Sequence, residues 1–237
     1  MTDSEIDRAK QAAREQVWTL LEQEGAAPLG VHGHIPAFIG ADQAAERLAS
    51  LEVWQVARVI KCNPDKAQLA VRVRALHDAK LLYMAVPRLA TPKPFYLLDP
   101  TELQPPFETI ATGDGAAQTA RTIGVGDMRP VDLIVCGSVA VNRQGVRVGK
   151  GAGYSDIEVA LLTEAELIGP ATTIVTTVHA LQVVDGELPE TEHDFSVDLI
   201  VTPDEVIKCG PPRRPSGILL EHLSEEKRRE IPVLKRF

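Results

Sequence analysis

The sequence is poor in aromatic residues and in cysteine. Aromatic residues make up 4% of the 237 residues, too few for a large surface on which single-stranded nucleic acid would stack. The three cysteines, Cys62, Cys136 and Cys209, lie far apart and form no C-x-x-C pair. They predict buried thiols in a reducing compartment, and neither a disulfide framework nor a zinc site.

Positive charge and long apolar runs are also scarce. The formal net charge of -8 disfavours nonspecific binding to a phosphate backbone but leaves a local basic pocket open. No apolar run approaches the ~18 residues of a membrane span, and the acidic, polar segment MTDSEIDRAK is unlike a signal peptide. We therefore expect a cytoplasmic protein with no membrane or nucleic-acid partner. The sequence does not indicate its oligomeric state.

Hydrophobic patterning indicates an α/β domain. The apolar runs VDLIVC at 131–136 and VDLIVT at 197–202, and the β-branched run TTIVTTV at 172–178, predict strands buried on both faces. Helical spacing predicts helices over residues 6–24, 42–51, 64–77, 154–167 and 223–230. Strands that alternate with helices predict a three-layer α/β/α fold with a mainly parallel sheet.

We interpret residues 1–237 as one domain, ample in length for a single core. Residues 1–50 form an N-terminal helical segment, with Ser4 as the predicted cap of its first helix, and residues 206–237 form a C-terminal tail packed on the domain. A short strand is predicted over 56–60. Residues 92–126, rich in Pro, Gly and Thr, predict loops with one short helix.

The stretch VRVGKGAGYSD at 146–156 sets three glycines at alternate positions among two cations and a carboxylate. It follows a predicted strand and precedes a predicted helix, where ligands of α/β sheets bind and where a helix start attracts anions. Glycines let the backbone approach a ligand and adopt positive φ. Arg147 and Lys150 would donate to phosphate, and Asp156 would hold a Mg²⁺ ion that bridges phosphates.

A structural explanation of the same stretch stays open. It matches neither the Walker loop nor the dinucleotide fingerprint. A β-hairpin or strand–helix loop with surface cations, and an aspartate that stabilises the helix dipole, accounts for it equally well. Lys10 and Arg14 pose a similar choice, because two like charges four residues apart are relieved either by a bound polyphosphate or by Asp7 and Glu15.

The run DLIVCGSVAVNRQGVRVGKGAGYSD resembles the signature of the 5-formyltetrahydrofolate cyclo-ligase family, in which a strand leads to R-x-G-x-G-x-G-Y-Y-D. The matching positions are Arg147, Gly149, Gly151, Gly153, Tyr154 and Asp156. A second block, HALQVVDGELPETEHDFSVDLIVTPDEVI, resembles another family segment and carries Gln182, His193, Asp194, Asp198 and Thr202. A third match is the pair Lys10 and Arg14, which the family uses to reach ATP.

Other segments resemble one branch of this family, the methenyltetrahydrofolate synthetase domain-containing proteins. They are VHGHIPAF, VPRL, GSVAV, CGPPRRPSGI and IPVL. Eukaryotic members of the branch add an RNA-recognition module, and no aromatic motif of that type occurs in these 237 residues. We expect no RNA binding by that route.

The resemblance implies the fold of the cyclo-ligases and their CoA-transferase-like relatives. It also implies ATP- and Mg²⁺-dependent closure of 5-formyltetrahydrofolate, a reduced folate, to 5,10-methenyltetrahydrofolate. It assigns Arg147 and Lys150 to catalysis and Asp156 to the metal. The nucleotide would be bound by Lys10, Arg14, Gly149, Gly151, Gly153 and Tyr154.

Two departures from the family pattern concern the folate. Asn63 stands where we place the family's folate-contacting Glu, and Ser155 replaces the second Tyr of Y-Y-D. Two alternatives to an enzyme follow: a nucleotide-binding or regulatory protein without cyclo-ligase activity, and a scaffold that recognises a partner through its tail. His32, His34, His179 and Arg88 fit either a site or a structural role.

Overall fold

The computed structural model describes residues 2–236 and contains eight α-helices and eleven strands in that range. The helices are α1 (Asp3–Gln23), α2 (Ala41–Ala49), α3 (Glu52–Val56), α4 (Leu69–His77), α5 (Phe107–Ile110), α6 (Gly113–Thr119), α7 (Tyr154–Glu164) and α8 (Glu225–Glu230). The strands are β1 (Val59–Cys62), β2 (Leu81–Ala85), β3 (Phe95–Leu98), β4 (Arg121–Ile123), β5 (Leu133–Cys136), β6 (Ala140–Asn142), β7 (Arg147–Val148), β8 (Thr173–Thr177), β9 (Val183–Val184), β10 (Leu199–Val201) and β11 (Val206–Lys208).

Eight strands form the main sheet in the order β11-β10-β8-β5-β1-β2-β3-β4. The five central strands, from β10 to β2, are parallel to one another. Antiparallel β3 and β4 complete one edge, and antiparallel β11 completes the other. The predicted mainly parallel sheet is therefore confirmed.

Helices cover both faces of this sheet, because its central strands are apolar on both sides. One face packs against α2 to α6, through buried side chains such as Leu48, Trp54 and Leu76. The other face packs against α7 and against the last residues of the tail, where Ile231 and Leu234 are buried. This is the three-layer α/β/α fold predicted from the sequence.

A second, three-stranded sheet of order β7-β6-β9 was not predicted, because its strands are only two or three residues long. It packs under α1, whose C-terminal half buries Val17, Trp18 and Leu21 in the same cluster as Ala140 and Val148. The N-terminal helix is thereby fixed beside the stretch 146–156.

Several predicted boundaries were wrong. The first helix begins after Thr2, whose N–H donates to the Glu5 carboxylate at 2.7 Å, and not at Ser4. The strand predicted over 56–60 begins only at Val59, since α3 extends to Val56. Residues 92–126 hold two strands and two short helices instead of one helix in loops. The tail predicted from residue 206 begins as the edge strand β11.

Among residues 2–236, no helix combines the length and the apolar character required to cross a membrane.

Candidate functional site

The stretch 146–156 lies at the carboxyl ends of the central strands. Strand β5 leads into the hairpin β6–β7, and the chain then passes through residues 149–153, which we call the glycine loop, into α7 at Tyr154. The hairpin and the helix start, two interpretations that the sequence left open, therefore both occur. The carboxyl end of β1, the neighbour of β5, lies at the same edge of the sheet.

Each glycine of the loop leaves room for a cationic side chain. A Cβ atom on Gly149 would lie 2.9 Å from Nη2 of Arg147. On Gly151, where φ is +97°, it would lie 3.4 Å from the guanidinium carbon of Arg14. On Gly153, where φ is +68°, it would lie 2.7 Å from Nζ of Lys227. The alternate glycines thus bring three positive groups against bare backbone.

Arg147 is buried at the base of the loop. Its guanidinium donates to the Gly137 carbonyl at 3.2 Å and to Oδ1 of Asp156 at 3.3 Å, and it lies 4.5 Å from the centre of the Phe195 ring. Burial raises the pKa of Asp156, and the nearby Arg147 opposes that rise. The two predicted residues are therefore brought together as an ion pair.

Lys10 and Arg14 approach the loop from α1. Arg14 donates to the Gly149 carbonyl at 2.7 Å, and Lys10 forms a buried ion pair with Asp194. Asp194 also accepts hydrogen bonds from the backbone N–H of Thr191 at 2.6 Å and from its hydroxyl at 2.8 Å. Burial alone would raise the pKa of Asp194, but the bonds from Lys10 and Thr191 hold it below its ordinary value.

Lys150 is the most accessible of the predicted cations. Its side chain is 40% exposed, and its Nζ lies 3.2 Å from Oδ1 of Asp65, which follows β1. Buried Arg72 donates to the carbonyls of residues 63, 64 and 65 and so fixes the loop that carries Asp65. Neither Arg72 nor Asp65 was predicted as a site residue, because each is distant in sequence from the glycine loop.

Asn63 has a different setting from the expected folate contact. It is 3% exposed, accepts a hydrogen bond from Lys61 at 2.5 Å and donates to Oγ of Ser155 at 2.7 Å. Lys61 also forms a buried ion pair with Glu158 on α7. The two residues that depart from the family pattern, Asn63 and Ser155, are thus joined in one partly buried network.

Lys227 reaches the loop from α8 in the C-terminal tail. Its ammonium donates to the Ala152 carbonyl at 2.5 Å and lies 5.4 Å from the centre of the Tyr154 ring. A small cavity of ≈ 70 Å³ beside it is lined in part by Gly153, Asp156 and His193. No local sequence signal identified Lys227, which is separated from the loop by more than 70 residues.

The remaining candidates have mainly structural contacts. Nδ1 of His32 lies 2.9 Å from Glu15, and His179 accepts a hydrogen bond from the Leu181 N–H at 3.2 Å, which caps a short 3₁₀ helix. His34 and Arg88 are exposed. Within residues 2–236, no three His, Cys, Asp or Glu side chains are grouped as a metal site.

Sequence comparison places the chain among known proteins. The sequence profile of the 5-formyltetrahydrofolate cyclo-ligase family matches residues 6–203. The chain belongs to this family. It is 40% identical over 96% of its length to the methenyltetrahydrofolate synthase domain-containing protein of Mus musculus, and 39% identical over 96% to that of Homo sapiens.

The cyclo-ligase fold is also seen in a solved structure. The NMR structure of Aquifex aeolicus 5,10-methenyltetrahydrofolate synthetase superposes with a TM-score of 0.53 at 19% identity, over 92% of this chain and 97% of that one. The chain spans only 62% of the length of the mouse relative and 61% of the human one. The family and the fold are therefore established for the matched region.

Proposed function

We propose that the glycine loop binds ATP with Mg²⁺ and that the chain is a 5-formyltetrahydrofolate cyclo-ligase. The observation that carries this proposal is the convergence of Arg14, Arg147 and Lys227 on the three glycines at the start of α7. Bare backbone, a helix N-terminus and several cations are together the features that bind polyphosphates. Family membership supports the reaction, and the geometry supports the position of the nucleotide.

Each predicted residue has a distinct part in nucleotide binding. Arg147 holds the base of the loop through the Gly137 carbonyl and Asp156, so it would position the backbone N–H groups against phosphate. Arg14 and Lys10 close the site from α1. The ring of Tyr154, half-buried at the start of α7, would line the nucleotide.

The metal site fits a phosphate-bridging ion better than a protein-only one. Oδ1 of Asp156 is engaged by Arg147, while Oδ2 accepts no hydrogen bond from the described residues. One free carboxylate oxygen suits Mg²⁺, which is commonly held by one or two carboxylates together with substrate phosphates and water. Asp156 would be the protein ligand of that ion.

The reaction requires charge neutralisation and positioning from the protein. ATP supplies the phosphoryl group that activates the formyl oxygen, after which N10 attacks the formyl carbon and phosphate leaves with ring closure. Lys150, the exposed cation at the mouth of the loop, would neutralise the charge on the transferred phosphoryl group. Its present partner Asp65 holds it there without burying it.

A second candidate is a nucleotide-binding protein without cyclo-ligase activity. The observation that favours it is the environment of Asn63, whose side chain is already hydrogen-bonded to Lys61 and Ser155. The nucleotide site would then be intact while the folate site differs from that of active members. We place either protein in the cytoplasm, where free thiols such as buried Cys62 and Cys136 remain reduced.

The test is a spectrophotometric assay of methenyltetrahydrofolate formation from 5-formyltetrahydrofolate with ATP and Mg²⁺. We expect ATP-dependent product, and a loss of turnover on the order of 100-fold in Asp156→Asn, as for removal of a group that stabilises the transition state. Asp114→Asn is the matched control, because Asp114 also occupies a first helical turn but is exposed, on a helix that packs against the opposite face of the main sheet from α7.

The other results are equally decisive. Full activity in Asp156→Asn would overturn the metal assignment. Absence of product, with a melting temperature that still rises with Mg-ATP, would support the second candidate. Absence of both product and nucleotide binding would overturn the whole proposal.

A further inference from the structure

The cations around the glycine loop outnumber the carboxylates that contact them. Three of them are paired: Arg147 with Asp156, Lys10 with Asp194, and Lys150 with Asp65. Arg14 and Lys227 have no carboxylate within 4.0 Å among the described residues and donate instead to the carbonyls of Gly149 and Ala152. The loop therefore holds, beside Gly151 and Gly153, two positive charges that no carboxylate contacts directly.

The position of Lys227 is costly without an anionic ligand. Its side chain is partly buried, and desolvation lowers the pKa of its ammonium. One carbonyl and the ring of Tyr154 do not replace the hydration of an ammonium group. An ammonium has three donors, of which one is used here, so two remain for a ligand.

The tail is built to hold Lys227 in place. Ser224 caps the N-terminus of helix α8, and its hydroxyl accepts a hydrogen bond from the Lys227 N–H at 3.3 Å. Directly after α8, Ile231, Val233 and Leu234 are buried in the main core against the sheet. The lysine is thereby anchored on both sides.

We propose that Lys227 is a nucleotide-binding residue that contacts the phosphates of ATP, and that the C-terminal tail completes the site. This inference rests on the proposed nucleotide binding and extends it to a segment that lies beyond residue 203, where the family profile ends. Arg14 on α1, beside Gly151, and Lys227 on α8, beside Gly153, together hold the polyphosphate.

The experiment measures binding of Mg-ATP and of inorganic tripolyphosphate by calorimetry in the full chain. The decisive variant is Lys227→Gln, because its amide can still donate to the Ala152 carbonyl but carries no charge. We expect both ligands to bind about 10- to 100-fold more weakly, as for a lost hydrogen bond to a charged group. Lys227→Arg should recover most of the affinity.

The matched control is Arg229→Gln, which removes the same charge from an exposed position of the same helix. Equal weakening in Lys227→Gln and Arg229→Gln, or wild-type affinity in Lys227→Gln, would overturn the inference while leaving ATP binding in place. Failure of the wild-type chain to bind Mg-ATP would instead overturn the proposed function. Melting temperatures of the ligand-free variants confirm that each one is folded.

Discussion

Gly151 illustrates at the scale of one residue why the loop needs glycine. Its φ of +97° is a conformation that side-chain-bearing residues adopt only with strain, and a Cβ atom there would contact the Arg14 guanidinium. Gly186 has a similar φ of +92° but no neighbouring atom within 4 Å of the position of a Cβ. The two glycines thus share a backbone conformation that would strain any other residue, and they differ in their surroundings.

We predict that Gly151→Ala and Gly186→Ala each lower the free energy of unfolding by about 1 kcal/mol, because both force alanine into a left-handed conformation. Only Gly151→Ala should also weaken Mg-ATP binding, since its methyl group would separate the loop backbone from phosphate. Urea unfolding and calorimetry measure the two effects. Equal nucleotide affinity in both variants would contradict the assigned role of Gly151.

Residue-scale prediction from the sequence succeeded where the signal was local. Arg147 and Asp156 lie nine positions apart within one motif, and the structure pairs them. It failed for Lys227 and Asp65, which reach the loop only through the fold. It also missed the hydrogen-bond network of Asn63, because its partner Ser155 is 92 positions away and no local sequence pattern indicates such a contact.

At the scale of elements, the buried pair of Lys61 and Glu158 joins β1 to α7. The side chain of Lys61 is 1% exposed and that of Glu158 is 5% exposed, so neither charge is solvated. Burial raises the pKa of Glu158, and Lys61 opposes the rise. The pair therefore fixes the helix whose first turn carries Tyr154 and Asp156.

We predict that Lys61→Met lowers the free energy of unfolding by about 3–5 kcal/mol, because it leaves Glu158 buried without a partner. The double variant Lys61→Met/Glu158→Leu should recover most of this loss, since no charge then remains buried. Arg143→Met, which breaks the exposed pair with Glu205, is the control and should change stability by less than about 1 kcal/mol. An unchanged free energy of unfolding in Lys61→Met would show that the pair does not anchor α7.

Elements with long apolar runs were predicted, and short ones were not. Strands β5, β8 and β10 lie inside the sheet, where helices cover both faces, so their side chains are apolar on both sides and form continuous apolar runs in the sequence. Strands β3 and β4 lie in a segment rich in Pro and Gly, and they are four and three residues long. These strands form because they pair with neighbouring strands, and the local sequence pattern carries no information about that pairing.

At the scale of the whole molecule, the ion pair of Lys10 and Asp194 links helix α1 to the segment before β10, across 184 positions of the chain. The pKa of Asp194 lies below its ordinary value of 3.8, so the folded protein binds that proton less tightly than the unfolded chain does. The ionised carboxylate therefore stabilises the fold.

We predict that the difference in unfolding free energy between the wild type and Asp194→Asn is constant near neutral pH. It should shrink as the pH falls below 3.8 and through the lowered pKa, because both proteins are then neutral at this position. Urea unfolding across this pH range measures the difference. If the difference in unfolding free energy persists at the lowest pH, the stabilising effect of Asp194 comes from its packing and hydrogen bonds and not from its charge.

The two edges of the main sheet have a consequence for folding in a crowded cell. Parallel sheets form slowly and expose unpaired strands on the way. Here the outermost strands, β4 and β11, are only three residues each, and they carry the exposed cations Arg121 and Lys208. Short, charged borders offer little backbone to a neighbouring chain. The sheet thus protects itself against aggregation through the same antiparallel strands that complete it.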